Sequence, residues 1–159
     1  MTGKIEAETP TQRLAKLGLT LPPVPPAAGN YAGFILAGNL LAISGQLPRR
    51  ADGTLLTGRA GDDLTTQQAQ DAARLSALNI LAQAQTALGD LGRITHTLRL
   101  TGFVQATPAY TDHPKVINGA SDLIATVLGA PGVHSRAAVG AVSLPLNSAT
   151  EIDALFVIA

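Results

Sequence analysis

Residues 34–48 read Phe-Ile-Leu-Ala-Gly-Asn-Leu-Leu-Ala-Ile-Ser-Gly-Gln-Leu-Pro, and this stretch decides the fold class. Two apolar runs, Phe34-Ile35-Leu36 and Leu40-Leu41-Ala42-Ile43, flank Gly38-Asn39. A glycine–asparagine pair tolerates the backbone of a tight connection, so the runs are expected to fold back on each other as an antiparallel hairpin. Beyond it, residues 49–63 carry glycines and charges without periodicity and read as a loop. Thr65-x-x-Gln68 then forms a capping box, which opens a long helix. Ala73, Ala77, Ile80, Ala84 and Leu88 make one apolar stripe of that helix, and Gly89 ends it.

The pattern alternates after this point. Residues 94–105, rich in Thr, Leu, Phe and Val, predict a strand, and Val116, Ala120, Leu123 and Val127 mark a second amphipathic helix ending at Gly129. Strands are expected over 137–144 and 150–158, joined by Pro145-Leu146-Asn147-Ser148 as a turn. Upstream of the hairpin, Thr9-Pro10-Thr11-Gln12 sets a capped short helix that Gly18 stops, and the prolines of residues 21–26 predict an extended arm. The order β-β-α-β-α-β-β predicts an α+β domain, a mixed sheet with both helices on one face. The other face then needs a cover, which oligomerisation would supply.

Composition narrows the function classes. The chain has 159 residues, 46% of them apolar, enough for a single domain with its own core. It contains no cysteine, which excludes disulfides, thiolate metal sites and thiol nucleophiles. Eleven basic residues balance eleven acidic ones and only 3% are aromatic, so neither the cationic footprint nor the stacking platform of a nucleic-acid binder is present. No secretory signal pattern and no apolar run of ~20 residues occurs, so a cytoplasmic protein with no membrane contact is expected. Charged residues make up 14%, against an ordinary ~25%, which favours burial of part of the surface against identical chains.

Phosphate-cradling loops and the nucleophile elbow are absent. His96, His113 and His134 lack metal-ligand spacing, and no metal is assigned. Asp62-Asp63 precede a helix, where acids are favoured by its dipole alone.

Tyr31, Gly38-Asn39, Ser44-Gly45-Gln46-Leu47-Pro48, Asn118, Ser135-Arg136 and Leu144-Pro145 followed by Glu151-Ile152-Asp153-Ala154 occur in the order and spacing of the RidA/YjgF family, which the chain resembles from about residue 29 onward. Residues 1–28 would then be an N-terminal extension and 29–159 the RidA-like domain. The resemblance implies a chorismate-mutase-like fold, a homotrimer with sites between subunits, and cofactor-free hydrolysis of reactive enamine/imine intermediates to 2-keto acids and ammonia. It also implies roles: Arg136 as carboxylate anchor, Glu151 as water-handling acid/base and Tyr31 as the cleft tyrosine. Ser44 and Gly45 fall at the backbone-donor turn and Asn118 at the helix-borne asparagine. Ala138 stands where many members carry Cys, Ser or Thr, and Ser121 where several carry an aromatic.

The residue types are equipped for the roles that the resemblance implies. A guanidinium fork holds a planar carboxylate by two charge-assisted bonds, and a carboxylate can take a proton from water and return one to departing ammonia. Glycine at position 45 lets a ligand approach the main chain. A hairpin turning at 145–149 would set Arg136 opposite about residue 157, on the same sheet face as Glu151 but too far along the ribbon to share a small substrate. A shared site would therefore need two chains. The alternative to an imine deaminase is a trimeric protein that binds small carboxylates without turnover; ribonuclease activity ranks last on charge and aromatic content.

Overall fold

In the computed structural model, which describes residues 7–27 and 29–159, the chain forms helices α1 (Pro10–Lys16), α2 (Thr66–Leu88) and α3 (His113–Leu128). The strands are β1 (Phe34–Ala37), β2 (Leu40–Gln46), β3 (Ile94–Gln105), β4 (Ser135–Ala141) and β5 (Thr150–Ile158). Residues 1–6, on which the reading of the N-terminus partly rests, and residue 28, at the expected domain boundary, lie outside the described residues.

Local chemistry sets the element ends. Thr9 with Gln12, and Thr65 with Gln68, exchange side-chain and backbone bonds as reciprocal capping boxes. Gly89 closes α2 at φ 75°, a left-handed conformation that favours glycine. The hairpin forms where the glycine–asparagine pair places it: Ala37 pairs with Leu40, and Gly38 turns the chain at φ 58°.

The five strands are ordered β1-β2-β5-β3-β4. Strand β5 lies in the middle, antiparallel to both β2 and β3, whereas β4 lies parallel to β3 at one edge. Leu41, Ile43, Leu100, Val104, Ile152 and Phe156 share one face and are buried beneath α2 and α3. Phe156 is fully buried, and such burial is worth about 1.5–3 kcal/mol for one side chain. The apolar stripe of α2, from Ala73 to Leu88, and that of α3, from Val116 to Val127, complete this core. Small residues let the layers approach closely. A Cβ at Gly102 on β3 would meet the Ile117 side chain at 2.5 Å, and Gly119 on α3 lies directly against the Gln70 backbone of α2.

The expected β4–β5 hairpin does not form. Strand β4 spans 135–141 rather than 137–144, and Arg136 pairs with Leu100, not with a residue near 157. Glu151 pairs with Phe103 across β3. The physical reason is the connection through α3: a helix crossover returns the chain parallel to the strand it left, so β4 lies beside β3. Strand β5, with its strict alternation of buried and half-buried residues, takes the central slot. A short 3₁₀ segment at Pro145–Asn147 carries the chain between them, with Leu146 and Asn147 both at φ 56°.

The leader helix is part of the packed body. Leu14 lies in the main hydrophobic cluster, and Arg13 Nη1 donates to the Val127 carbonyl at the end of α3 at 3.1 Å.

Candidate active site

A cleft of about 460 Å³ opens beside the bulged end of β2, where pairing with β5 shifts between Ile43 and Gln46. Such a volume suits a small metabolite. Tyr31, Gly45 and Glu151 line it together. Strand β1 begins only at Phe34, so Tyr31 sits on the segment just before the sheet edge, 59% exposed at the rim. Ser44 holds that segment in place. Its N–H donates to the Gly33 carbonyl at 3.0 Å and its hydroxyl to the Ala32 carbonyl at 2.7 Å, so both of these donors serve the cleft wall.

Glu151 is the chemically exposed group. Its carboxylate lies against Gly45, where any Cβ would collide with it. Among the described residues it accepts no hydrogen bond. Burial pushes its pKa above the usual carboxylate range, and the neighbouring Asp153 charge adds to the rise. Raised in this way and open to the cleft, the carboxylate can exchange protons with a bound water.

Arg136, Asn118 and Ala138 gather elsewhere, along α3 and the β4 edge. Arg136 Nη1 donates to Ser121 Oγ at 3.0 Å and Nη2 to the Pro114 carbonyl at 3.3 Å. Asn118 lies between those two contact points on the same helix face, four residues after Pro114 and three before Ser121. Ala138 points to the same side as Arg136, two residues further along β4, and packs partly into the core. Ser121 also contacts His134 Nε2 at 2.9 Å, while His134 Nδ1 donates to the Gly132 carbonyl at 2.7 Å. The carbonyl fixes the proton on Nδ1, so Ser121 donates to the imidazole and accepts from Arg136. The departure from the family pattern at Ser121 thus supplies the hydroxyl that seats the arginine.

The expectation that Arg136 and Glu151 share a sheet face is overturned. Arg136 is level with Leu100 and Glu151 with Phe103, three residues on, so their side chains leave opposite faces. Three residues along and two strands across separate them by about 14 Å. Within one chain they stand in two separate places.

A family model described as YjgF/chorismate mutase-like, putative endoribonuclease, matches residues 11–157. The chain belongs to that family. It is 44% identical over 143 residues to Protein TCP17 of Trypanosoma cruzi, 89% of each chain being covered. A crystal structure from Agrobacterium tumefaciens, of a protein of unknown function, is similar at TM-score 0.86 and 51% identity, covering 92% of both chains. The Escherichia coli TdcF structure with bound serine is similar at TM-score 0.63 and 25% identity, over 86% of this chain and 94% of the other.

The cleft of this YjgF-family chain also contains groups that sequence reasoning missed. Asn79 and Gln83 reach it from α2, and Val24, Pro25, Pro26 and Ala27 of the proline arm form one wall. The signal was present: Ser76, Asn79 and Gln83 form a polar stripe at helical spacing beside the apolar one, and all three are buried. Among the described residues no helix is long and apolar enough to cross a membrane.

Proposed function

We propose that this YjgF-family protein hydrolyses reactive 2-enamine and 2-imino acids to 2-keto acids and ammonia, without a cofactor, in clefts between the subunits of a homotrimer. The observation that carries this reading is the Glu151 carboxylate: half-buried, raised in pKa, bare of hydrogen bonds and set against Gly45 in a metabolite-sized cleft. Arg136 of a neighbouring copy supplies the carboxylate anchor that this half-site lacks. The sheet face away from the helices supports such an assembly, since Ile35 and Val139 on it are 57% and 43% exposed.

In the reaction Glu151 takes a proton from water as the hydroxyl adds to C2 of the imine. With the imine entering as its iminium form the resulting carbinolamine is neutral; Glu151 returns the proton to nitrogen, ammonia leaves as the C2–O double bond forms, and the hydroxyl proton passes to the freed Glu151 carboxylate. Tyr31 stands at the rim over the substrate, and Asn118 shares the helix face on which Arg136 is seated. Ala138 leaves space there rather than a functional group. TdcF, a relative seen with bound serine, holds a ligand carrying the same carboxylate.

The protein is expected to accelerate ammonia and keto-acid release from 2-aminoacrylate or 2-iminobutyrate generated in situ. Glu151→Gln should lose about 100-fold or more, the usual contribution of a positioned acid/base. Rates equal to the no-protein control would sink the deaminase reading. The alternative, a binding protein for small carboxylates, draws on Arg136 being seated on α3 whether or not water is activated. It predicts thermal protection by 2-keto acids that survives Glu151→Gln and is lost in Arg136→Ala.

A further inference from the structure

Asn79 and Gln83 stand one turn apart on α2 and line the same cleft as Glu151, yet each is only 4% exposed. Asn79 is fixed: Nδ2 donates to the Arg49 carbonyl at 2.8 Å and to the Leu75 carbonyl at 2.9 Å. Both of its N–H groups are thereby used, and Oδ1 remains as a bare acceptor. Gln83 makes no side-chain hydrogen bond among the described residues, so a donor and an acceptor both lie unpaired. Its carboxamide occupies the space that a side chain at residue 33 would fill, Oε1 and Nε2 being 2.8 and 3.0 Å from the Cβ position of Gly33. Val24 and Pro25 of the arm belong to the same cleft and enclose it.

The free polar atoms of both amides open onto the cleft rather than being sealed off, so they are paired by water there or by a ligand group that replaces it. The two amides together offer two acceptor oxygens and one NH2 group with two N–H donors, with no charge. A ligand group that complements them must itself donate and accept. A carboxylate cannot donate, and an alkyl chain would leave all three unsatisfied.

Resting on the deaminase reading above, we propose that Asn79 and Gln83 form a side-chain subsite that selects 2-imino acids whose side chain ends in a carboxamide. The α-carboxylate goes to the arginine half-site, C2 lies at Glu151, and the amide reaches Gln83.

The test compares imines of matched shape, generated in situ by an amino-acid oxidase: asparagine against leucine, and glutamine against methionine. The wild type should prefer the carboxamide member of at least one pair by about tenfold or more in kcat/KM. That ratio should collapse in Gln83→Leu. It should collapse also in Gly33→Ala, which crowds the carboxamide from outside the helix and decides the matter if Gln83→Leu fails to fold. Equal rates within both pairs, as a water-filled corner would give, or a ratio that survives in the folded variant, would overturn the subsite. If no imine is turned over, the deaminase reading fails and thermal protection by the corresponding 2-oxo acids decides the subsite by itself. Stronger protection by the carboxamide compound, lost in Gln83→Leu, supports it, and equal protection overturns it.

Discussion

Glu151 titrates against two neighbours, its own burial and the charge of Asp153, and both favour the protonated form. A protonated carboxyl cannot accept a proton from water, so kcat/KM should fall, on lowering the pH, at a pH above the usual carboxylate range. Asp153→Asn removes the smaller of the two causes. The acid limb of a pH–rate profile should then move to lower pH, though not fully to the ordinary value, and an unmoved limb would assign the titration to another group. Arg136 is tested differently, by its fork rather than its charge. Arg136→Lys keeps the cation but loses the parallel bonds, and KM for a 2-imino acid should rise about tenfold or more in steady-state assays. At this scale the sequence offered candidate residues and was silent about their company. Nothing in the spacing of Ser121 and His134 told that they seat Arg136, because that contact needs β4 and α3 to lie side by side. Asn79 and Gln83 were legible only as a polar stripe, since an i, i+4 pair of amides is ordinary until both are found buried.

The elements that local chemistry controls were the most legible. Both capping boxes, the Gly38 turn, the Gly89 stop and the bounds of β3 and β5 follow from short stretches whose own hydrogen bonds decide them. The pairing of β4 was not, because it depends on which strand is nearest after α3 rather than on the turn at 145–148. Close helix contact gives a test at this scale. Gly119 touches the Gln70 backbone, and Gln70 Nε2 donates to the Lys115 carbonyl at 2.9 Å, so α2 and α3 are clamped at short range. Gly119→Ala must push the helices apart. It should lower stability by about 1–3 kcal/mol in denaturant titrations, despite the better helix propensity of alanine. A neutral or stabilising result would mean that the helices separate freely there.

Over the whole molecule, one chain holds the Glu151 cleft and the Arg136 edge apart and exposes Ile35 and Val139 on the sheet face away from the helices, and the proposed trimer would resolve both conditions at once. Rotational symmetry would repeat one contact, bringing the Glu151 cleft of each subunit against the Arg136 edge of the next. The 14% charged content is what the sequence offers in favour of that assembly, whereas the placement of Arg136 and Glu151 on opposite faces required the strand register. The most direct measurement mixes two inactive variants, Arg136→Ala and Glu151→Gln, unfolds and refolds them together, and follows ammonia release from 2-iminobutyrate. Intersubunit sites predict that about a quarter of the clefts in random mixed trimers regain both wild-type groups, restoring activity that neither variant shows alone. Mixed assemblies that form and stay as inactive as the separate variants would contradict the account, because the two residues would then have to act within one chain.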